Sequence, residues 1–292
     1  MAQIRFARWE DCPQLKRLWK AAFGDEDSYI DGFYQDRFSP QETMVLEEEG
    51  ALQAMLTLLP METVLAGGER VSTPCVYAVA TNRESRGRGY ATGLLAQAHR
   101  TMEERGDKGA VIVPAGDSLF AFYRQRGFAD GFSLRERRLT PEELIPAARD
   151  PRAQVTALAP GEYHRRREAL LQGSCHVDCG EEGLVYQDRV GRRSGGSLLA
   201  VDVGPVQGCA AVERDGDRLI LKELLLPPAV MEAGLAAVAD RFTCREILLR
   251  APLGAGEAGG DPRPFAQVRW YDRRLAQAFA GEAPGYLGIA YD

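Results

Sequence analysis

The chain has 292 residues, 45% of them hydrophobic, with 6 cysteines and a formal net charge of −6. That size suits about two domains, or one large one, around an ordinary globular core. No apolar run nears the ~18 residues of a membrane span, the opening Met1-Ala2-Gln3-Ile4-Arg5-Phe6 lacks a signal-peptide core, and the cysteines show no framework spacing. The expectation is a cytoplasmic protein with reduced thiols and no membrane partner. Arg165-Arg166-Arg167 and Arg192-Arg193 are basic clusters without interleaved aromatics, so no nucleic-acid partner is expected.

In chain order, Asp11 can cap a helix with Pro13 in its first turn, and Leu15, Leu18, Trp19 and Ala22 form its apolar stripe. A second helix is expected over 28–38, stopped by Ser39-Pro40. Met44–Leu46 and Ala51–Leu59 read as strands joined by the turn Glu47–Gly50. After Gly67-Gly68, Val76–Ala80 is the next strand, running into a glycine-rich turn. The helix beyond that turn keeps Ala91, Leu94, Leu95, Ala98 and Met102 on one face, and Gly106 stops it. Ala110–Val113 is most simply a buried strand, ended by Pro114. Asp117 or Ser118 caps a helix that Gly127 terminates. Phe132–Leu139 reads as the last strand of this half.

The run from Val79 to Gly93 carries the chemistry. A strand, a glycine turn and a helix N-terminus aim several N–H groups at one spot, which is a phosphate or pyrophosphate site. Gly87 and Gly89 let a ligand approach the backbone. A dinucleotide loop would put its third glycine at Thr92, but it falls at Gly93; Asp107, the nearest acid at the required distance, precedes the next strand. The Gly-Lys-Ser/Thr of a Walker loop is absent. What remains, Arg-Gly-x-Gly-x-Ala after a strand, resembles the GNAT superfamily of acyl-CoA-dependent N-acyltransferases. Their Arg/Gln-x-x-Gly-x-Gly/Ala signature is matched by Arg83 or Arg86 through Gly87, Gly89 and Ala91. Phe122-Tyr123-Arg124-Gln125-Arg126-Gly127-Phe128 is similar to the family's frequent Phe/Leu-Tyr-x-x-x-Gly-Phe, in the right order and at a fitting distance. No Asn stands between Ala110 and Phe128, where the family often has one touching the cofactor. That departure bears on one contact and not on the fold.

Residues 141–154, rich in Pro, Ala and charge, read as a linker, and 155–292 as a reduced second copy of 1–140. Its elements are a helix over 161–172, strands over 197–203, 207–214 and 218–226, a helix over 231–242 and a strand over 245–250; 254–260 reads as a mobile loop. Pro227-Pro228-Ala229 stands where the glycine turn should be, and two prolines remove two N–H donors. One acyl-CoA site is therefore expected, in the first half. The fold class is α/β, with an α+β mixed sheet: a tandem GNAT acyltransferase fold, its N-terminal copy the intact catalytic domain and its C-terminal copy degenerate. The arrangement resembles the tandem acetyltransferases that include the enhanced intracellular survival proteins, without their third domain.

The resemblance implies direct transfer from acetyl-CoA to a primary amine. The amides of Arg86, Gly87, Arg88, Gly89, Tyr90, Ala91 and Thr92 would hold the pyrophosphate of coenzyme A. Val79, Ala80 and Thr81 would meet the pantetheine arm, with an N–H near Val79 or Ala80 facing the oxyanion. Tyr123 is the family's usual acid for the leaving thiolate; a plain core aromatic is the alternative. Glu62 is one candidate base. In the enhanced intracellular survival proteins a C-terminal carboxylate reaches the active site, which implies Asp292 here, after the apolar 288–291. Asp25, Glu26, Asp27, Asp31 and Asp36 in the first helices would favour a cationic amine such as an aminoglycoside, polyamine or peptide N-terminus, or are a solvated face. Trp19, Tyr29, Phe33 and Tyr34 line an acceptor pocket or fill the core. His99 and His164 read as surface residues. Cys175-His176-x-x-Cys179 gives three ligands at most, so no metal is expected. Two other functions fit the same residues. One is an acyl-CoA-binding regulatory module without turnover; the other is transfer of another acyl group, or transfer to a thiol-sugar acceptor. The oligomeric state stays open, although the tandem relatives often assemble.

Overall fold

The computed structural model describes residues 2–144, 149–280 and 283–291. Residues 145–148, within the expected linker, and Asp292 lie outside the described residues. The elements up to the middle of the chain are β1 (Gln3–Phe6), α1 (Cys12–Phe23), α2 (Asp27–Asp36), β2 (Thr43–Glu48), β3 (Ala51–Leu59), β4 (Glu62–Val64), β5 (Arg70–Ser72), β6 (Cys75–Thr81), α3 (Tyr90–Glu104), β7 (Gly109–Ile112), α4 (Asp117–Arg124) and β8 (Ala129–Leu139). Then come β9 (Ala153–Ala157), α5 (Pro160–Leu170), β10 (His176–Asp178), α6 (Gly180–Ser194), β11 (Ser197–Val203), β12 (Val206–Asp215), β13 (Arg218–Leu225), α7 (Pro228–Ala239), β14 (Glu246–Ala251), β15 (Asp261–Trp270) and α8 (Arg273–Ala280).

The chain forms two compact units, neither of them continuous in sequence. The first comprises Met1–Glu62, Val71–Ala129 and Gln267–Glu282; the second comprises Thr63–Arg70, Asp130–Ala266 and Ala283–Asp292. In the first, β1, β2, β3 and β6 pair antiparallel in that order, β6 meets β7 in parallel, and Gln267–Trp270 of β15 runs antiparallel to β7. In the second, β9, β11, β12 and β13 are antiparallel neighbours, β13 and β14 are parallel, and β8 runs antiparallel to β14. The sheet is mixed, as expected. Each parallel pair is joined through a helix, α3 or α7, as a parallel crossover requires. The two units thus repeat one layout.

The final strands are exchanged. Phe132–Leu139, expected to finish the first half, pairs with β14 in the second unit, and the end of β15 takes the place beside β7. Arg135–Leu139 aligns with Ala251–Ile247, and Gly109–Ile112 with Trp270–Gln267. Strand residues alternate in the same way whichever neighbour they join, so the exchange leaves no mark on the local sequence pattern.

Each unit has its own apolar core. In the first, Leu94, Leu95, Ala98 and Met102 of α3 pack with Leu56, Leu58, Val76, Ala110 and Phe128. In the second, Met231, Leu235, Ala236 and Val238 of α7 pack with Leu199, Leu221, Leu249 and Ala251. The second core also contains an ionic group. Arg167, from the basic cluster 165–167, is 1% exposed, and its Nε donates to Glu223 Oε1 at 2.9 Å. Tyr163 and Tyr286 hydroxyls donate to Glu223 at 2.8 and 3.2 Å, so its lone pairs are well used.

The segment 283–291 is docked. Gly285 and Tyr286 form parallel bridges to Phe132 and His176, and Tyr286 through Tyr291 are buried. The glycine-rich 254–260 is also ordered, contrary to the expected mobile loop. It forms short 3-10 turns at Leu253–Ala255 and Glu257–Gly259, and Arg135 ties it down by donating to the carbonyls of Leu253 and Gly260 at 2.9 and 2.7 Å.

Candidate active site

The site in the first unit begins as a fork between two strands. β6 and β7 share one register pair, Cys75↔Val111, supported by the Val111 amide donating to the Pro74 carbonyl at 3.0 Å. Beyond it, β6 stays paired to β3 on its other side, through Tyr77↔Thr57, Ala80↔Met55 and Thr81↔Ala54. Between the first two of those pairs the register shifts, so Ala78 and Val79 together oppose Leu56. This is a bulge, which leaves an extra residue outside the ladder and re-aims the strand. Ala78 adopts φ 49°, a left-handed conformation that costs an L-residue on the order of 1–3 kcal/mol. The bulge therefore falls on the Val79–Thr81 stretch expected to face the thioester. Sequence reasoning missed it, because Tyr77-Ala78-Val79 has no glycine to mark the positive φ.

The glycine turn follows. Asn82 caps the 3-10 turn Arg83–Ser85, its side chain accepting from the Glu84 amide. Gly87 and Gly89 take φ of 82° and 80°, and Gly89 is the N-cap of α3. The first intrahelical bond is Gly93 N–H to Gly89 C=O, at 2.9 Å. Among the described residues, the amides of Gly87, Arg88, Gly89, Tyr90, Ala91 and Thr92 donate to no protein acceptor. They are the orphan donors of a helix start, extended upstream by two left-handed glycines, and they form a cradle for an anion. Neither glycine has any atom within 4 Å of where a Cβ would sit, so the space before the backbone is open.

Charged side chains rim this cradle. Arg86 Nε donates to the Thr81 carbonyl at 3.5 Å. Arg88 lies over the Tyr90 ring, and both reach Glu48: Tyr90 Oη donates at 2.7 Å, and Arg88 pairs at 3.0 Å. Those two partners hold the Glu48 carboxyl below its usual range, Tyr90 the more strongly. Arg126 is a residue the sequence reading passed over. Its guanidinium stacks 3.3 Å from the centre of the Phe122 ring and donates to Thr92 Oγ1 at 2.7 Å, which holds a fixed cation at the first turn of α3.

Tyr123, on α4, is 5% exposed and packs edge-on to Phe122 and Phe128. Burial, opposed by the nearby Arg126, pushes its phenol up to about 12; the Cys75 thiol at the fork is within electrostatic reach. His99 is also buried, at 3% exposed, and not on the surface as expected. Its Nδ1 shares a hydrogen bond of 2.7 Å with Tyr271 Oη, and Nε2 has no partner among the described residues. Burial, with Arg269 adding to it, pushes the imidazole down to about 4 from an ordinary 6.5. The unfolded chain therefore takes up a proton between about pH 6.5 and 4 that the folded chain refuses. Stability is full above that window and falls as the pH drops through it, by no more than roughly 3 kcal/mol. His99→Gln is expected to flatten the melting-temperature profile across that window; an unchanged slope would assign the acid loss to other groups.

On the α1–α2 side, Trp19, Phe33 and Tyr34 are buried and form an aromatic cluster that Tyr77 of β6 joins. The partly buried Tyr29 shares a hydrogen bond of 3.2 Å with Tyr77, which places two hydroxyls next to the bulge. Asp25 accepts from the Trp19 indole at 2.7 Å, Asp31 pairs with Lys16, and Asp27 with Lys20. Two of the five acids are thus paired with lysines, while Asp25 accepts from a neutral indole. Glu62 is exposed on β4, and Asp292 is outside the described residues. In the second unit α7 starts at Pro227-Pro228, with no glycine in a left-handed turn before it. The structure thus groups Val79–Thr81 and Arg86–Thr92 on one β-turn-α path, with Tyr123 on the neighbouring α4.

Residues 3–130 match the family model described as an acetyltransferase (GNAT) domain. No curated protein matches the chain. Among solved structures it is similar to Eis1 from Mycobacterium abscessus, with 13% identity over 96% of this chain and 76% of that one, and a TM-score of 0.69. It is similar to a GCN5-related N-acetyltransferase from Kribbella flavida, with 15% identity over 98% and 76% of the two chains and a TM-score of 0.71. A GCN5-related N-acetyltransferase from Anabaena variabilis gives 17% identity, 93% and 73% coverage, and a TM-score of 0.70. At these identities the structural likeness shows the fold. No described helix is long and apolar enough to cross a membrane.

Proposed function

We propose that the chain is an acetyl-CoA-dependent N-acetyltransferase, its residues 3–130 matching the acetyltransferase (GNAT) family model, and that the transfer is direct, from acetyl-CoA to a primary amine, at one site in the first unit. The observation that carries this is the run of unpartnered amides from Gly87 to Thr92, continuous with the bulged strand at Ala78–Val79. The cradle takes the pyrophosphate through Arg86, Gly87, Arg88, Gly89, Tyr90, Ala91 and Thr92, and Arg126 adds a positive charge at its edge. The pantetheine arm runs along Val79, Ala80 and Thr81, where the fork leaves backbone groups outside the β6–β7 pairing. An amide freed by the bulge donates to the oxyanion as the amine attacks.

Tyr123 hydrogen-bonds the departing sulfur. A phenol near 12 keeps its proton throughout the physiological range. Full transfer to a thiolate, with an ordinary thiol pKa of about 8.5, would run uphill, so its part is to stabilise the developing negative charge. Asp292, directly after the buried Tyr291, is proposed as the carboxylate that takes the amine proton. The second copy, residues 155–292, is proposed to hold no acetyl-CoA site of its own, since Pro227-Pro228 cannot supply an amide cradle. The enhanced intracellular survival type is the tandem arrangement that the repeated layout favours.

The test is acetyl-CoA turnover by the full chain with a panel of polyamines, aminoglycosides and peptide N-termini, followed by thiol release and by the mass of the product. Thiol release that depends on an added amine, with one acetyl group on that amine, is expected. Acetyl-CoA binding without turnover on any amine or thiol sugar would favour the regulatory module.

A further inference from the structure

One side-chain cluster in the second unit lies outside the residues assigned to acetyl transfer. His164 and Glu168 stand four residues apart on α5, hence on one helix face. Asp178 ends β10 beside them, 2% exposed. His164 Nε2 is 3.1 and 3.0 Å from the two carboxylate oxygens of Asp178. One ligand atom from each of His164, Glu168 and Asp178 lies within 4.8 Å of the others. Both carboxylates are held from behind. Asp178 Oδ1 accepts from the Gly180 amide at 2.8 Å, and His176, itself fixed 2.8 Å from the Ser174 carbonyl, stands 3.2 Å from Glu168 Oε1. Support of this kind orients the ligands of protein metal sites.

A positive charge already sits among these groups. The Arg70 guanidinium pairs with Glu168 at 2.9 Å and with Asp178, from a side chain that is 39% exposed. A half-exposed surface cation thus bridges the two acids, with an imidazole nitrogen turned toward them, while the buried Arg167 pairs with Glu168 from the core side at 3.2 Å. We propose that His164, Glu168 and Asp178 are the three protein ligands of a zinc-class divalent ion, and that Arg70 is the cation it displaces. One imidazole nitrogen and two carboxylate oxygens, with a water in the fourth position, is a donor set zinc accepts. The site differs from the Cys175-His176-x-x-Cys179 run. The ligand atoms that come together are those of His164, Glu168 and Asp178, with neither cysteine in the group. An ion here braces α5 against β10, whose His176 and Val177 pair with Tyr286 of the docked segment.

The experiment titrates zinc chloride calorimetrically into the chelator-stripped full chain, with magnesium chloride as the control. One zinc per chain is expected, with little heat from magnesium. His164→Ala and Asp178→Asn should each weaken zinc by at least about tenfold. Arg70→Gln should strengthen it by a similar factor, because the competing cation is gone. Metal-free melting curves check each fold, and His164→Gln replaces His164→Ala if the latter does not fold. A cluster that is only a salt-bridge network gives the opposite result for Arg70: a lower melting temperature and no gain in zinc. No zinc uptake by either wild type or Arg70→Gln overturns the proposal, as does uptake unchanged by loss of His164.

Discussion

Gly89→Asp is expected to abolish acetyl-CoA binding while the chain stays folded. Gly89 has φ 80° and open space where a Cβ would sit, and Asp is among the residues that tolerate the left-handed region. The cost to the fold is therefore small, about 1 kcal/mol. The cost to the ligand is large for two reasons. A side chain at Gly89 intrudes on the open space before the amides that a pyrophosphate needs. It also places a negative charge where the phosphate charge should rest. Loss of at least about 100-fold in affinity, equal to about 2.7 kcal/mol, is expected by calorimetry. Gly89→Ala, with the same backbone strain but no charge, should lose much less. Wild-type affinity in the aspartate variant, with an unchanged melting temperature, would move the cofactor away from this turn.

Tyr123→Phe should lower kcat by about 10²-fold or more and leave the KM for acetyl-CoA near its wild-type value. The ring stays, so its packing against Phe122 and Phe128 is kept; only the hydroxyl is lost. A group that acts on the leaving sulfur affects the transition state and not the bound donor, which is why the effect falls on kcat. If Tyr123 were simply a core aromatic, the variant would keep its rate. The pH profile gives a second readout: with a phenol pushed up to about 12, no loss of rate on the alkaline side up to about pH 10 should come from Tyr123.

Much of this architecture was readable from residue order. The apolar stripe of α3 sits in the core as its spacing required, and Gly87 and Gly89 fall in the turn between β6 and α3 where they were read, with the space for their Cβ atoms open. The anion cradle is a local object: a strand end, two glycines and a helix start are consecutive in the chain, so neighbouring residues suffice to specify it. Pro227-Pro228 likewise stand at the start of α7, where the sequence placed them, with no left-handed glycine turn before them.

Four features depended on the tertiary structure. Ala78 is bent by β3 offering one residue against two, and an alanine does not announce a positive φ. Arg126 becomes a site residue only because α4 lies where its guanidinium meets Thr92, 34 positions away in sequence. His99 looked solvated beside Arg100, yet the segment carrying Tyr271, 172 residues later, covers it. The exchange of β8 and the end of β15 is the clearest case. Alternation tells a strand which face to bury but not which neighbour to choose. The sequence by itself determined most elements of the first half, the repeat and the glycine turn, but not α6, β15 or α8, because what it determined rests on short-range sterics and on hydrogen-bonding groups a few residues apart. Tertiary structure decided the strand partners, the bulge and the buried charges, because those are set by groups that meet only after the chain has folded.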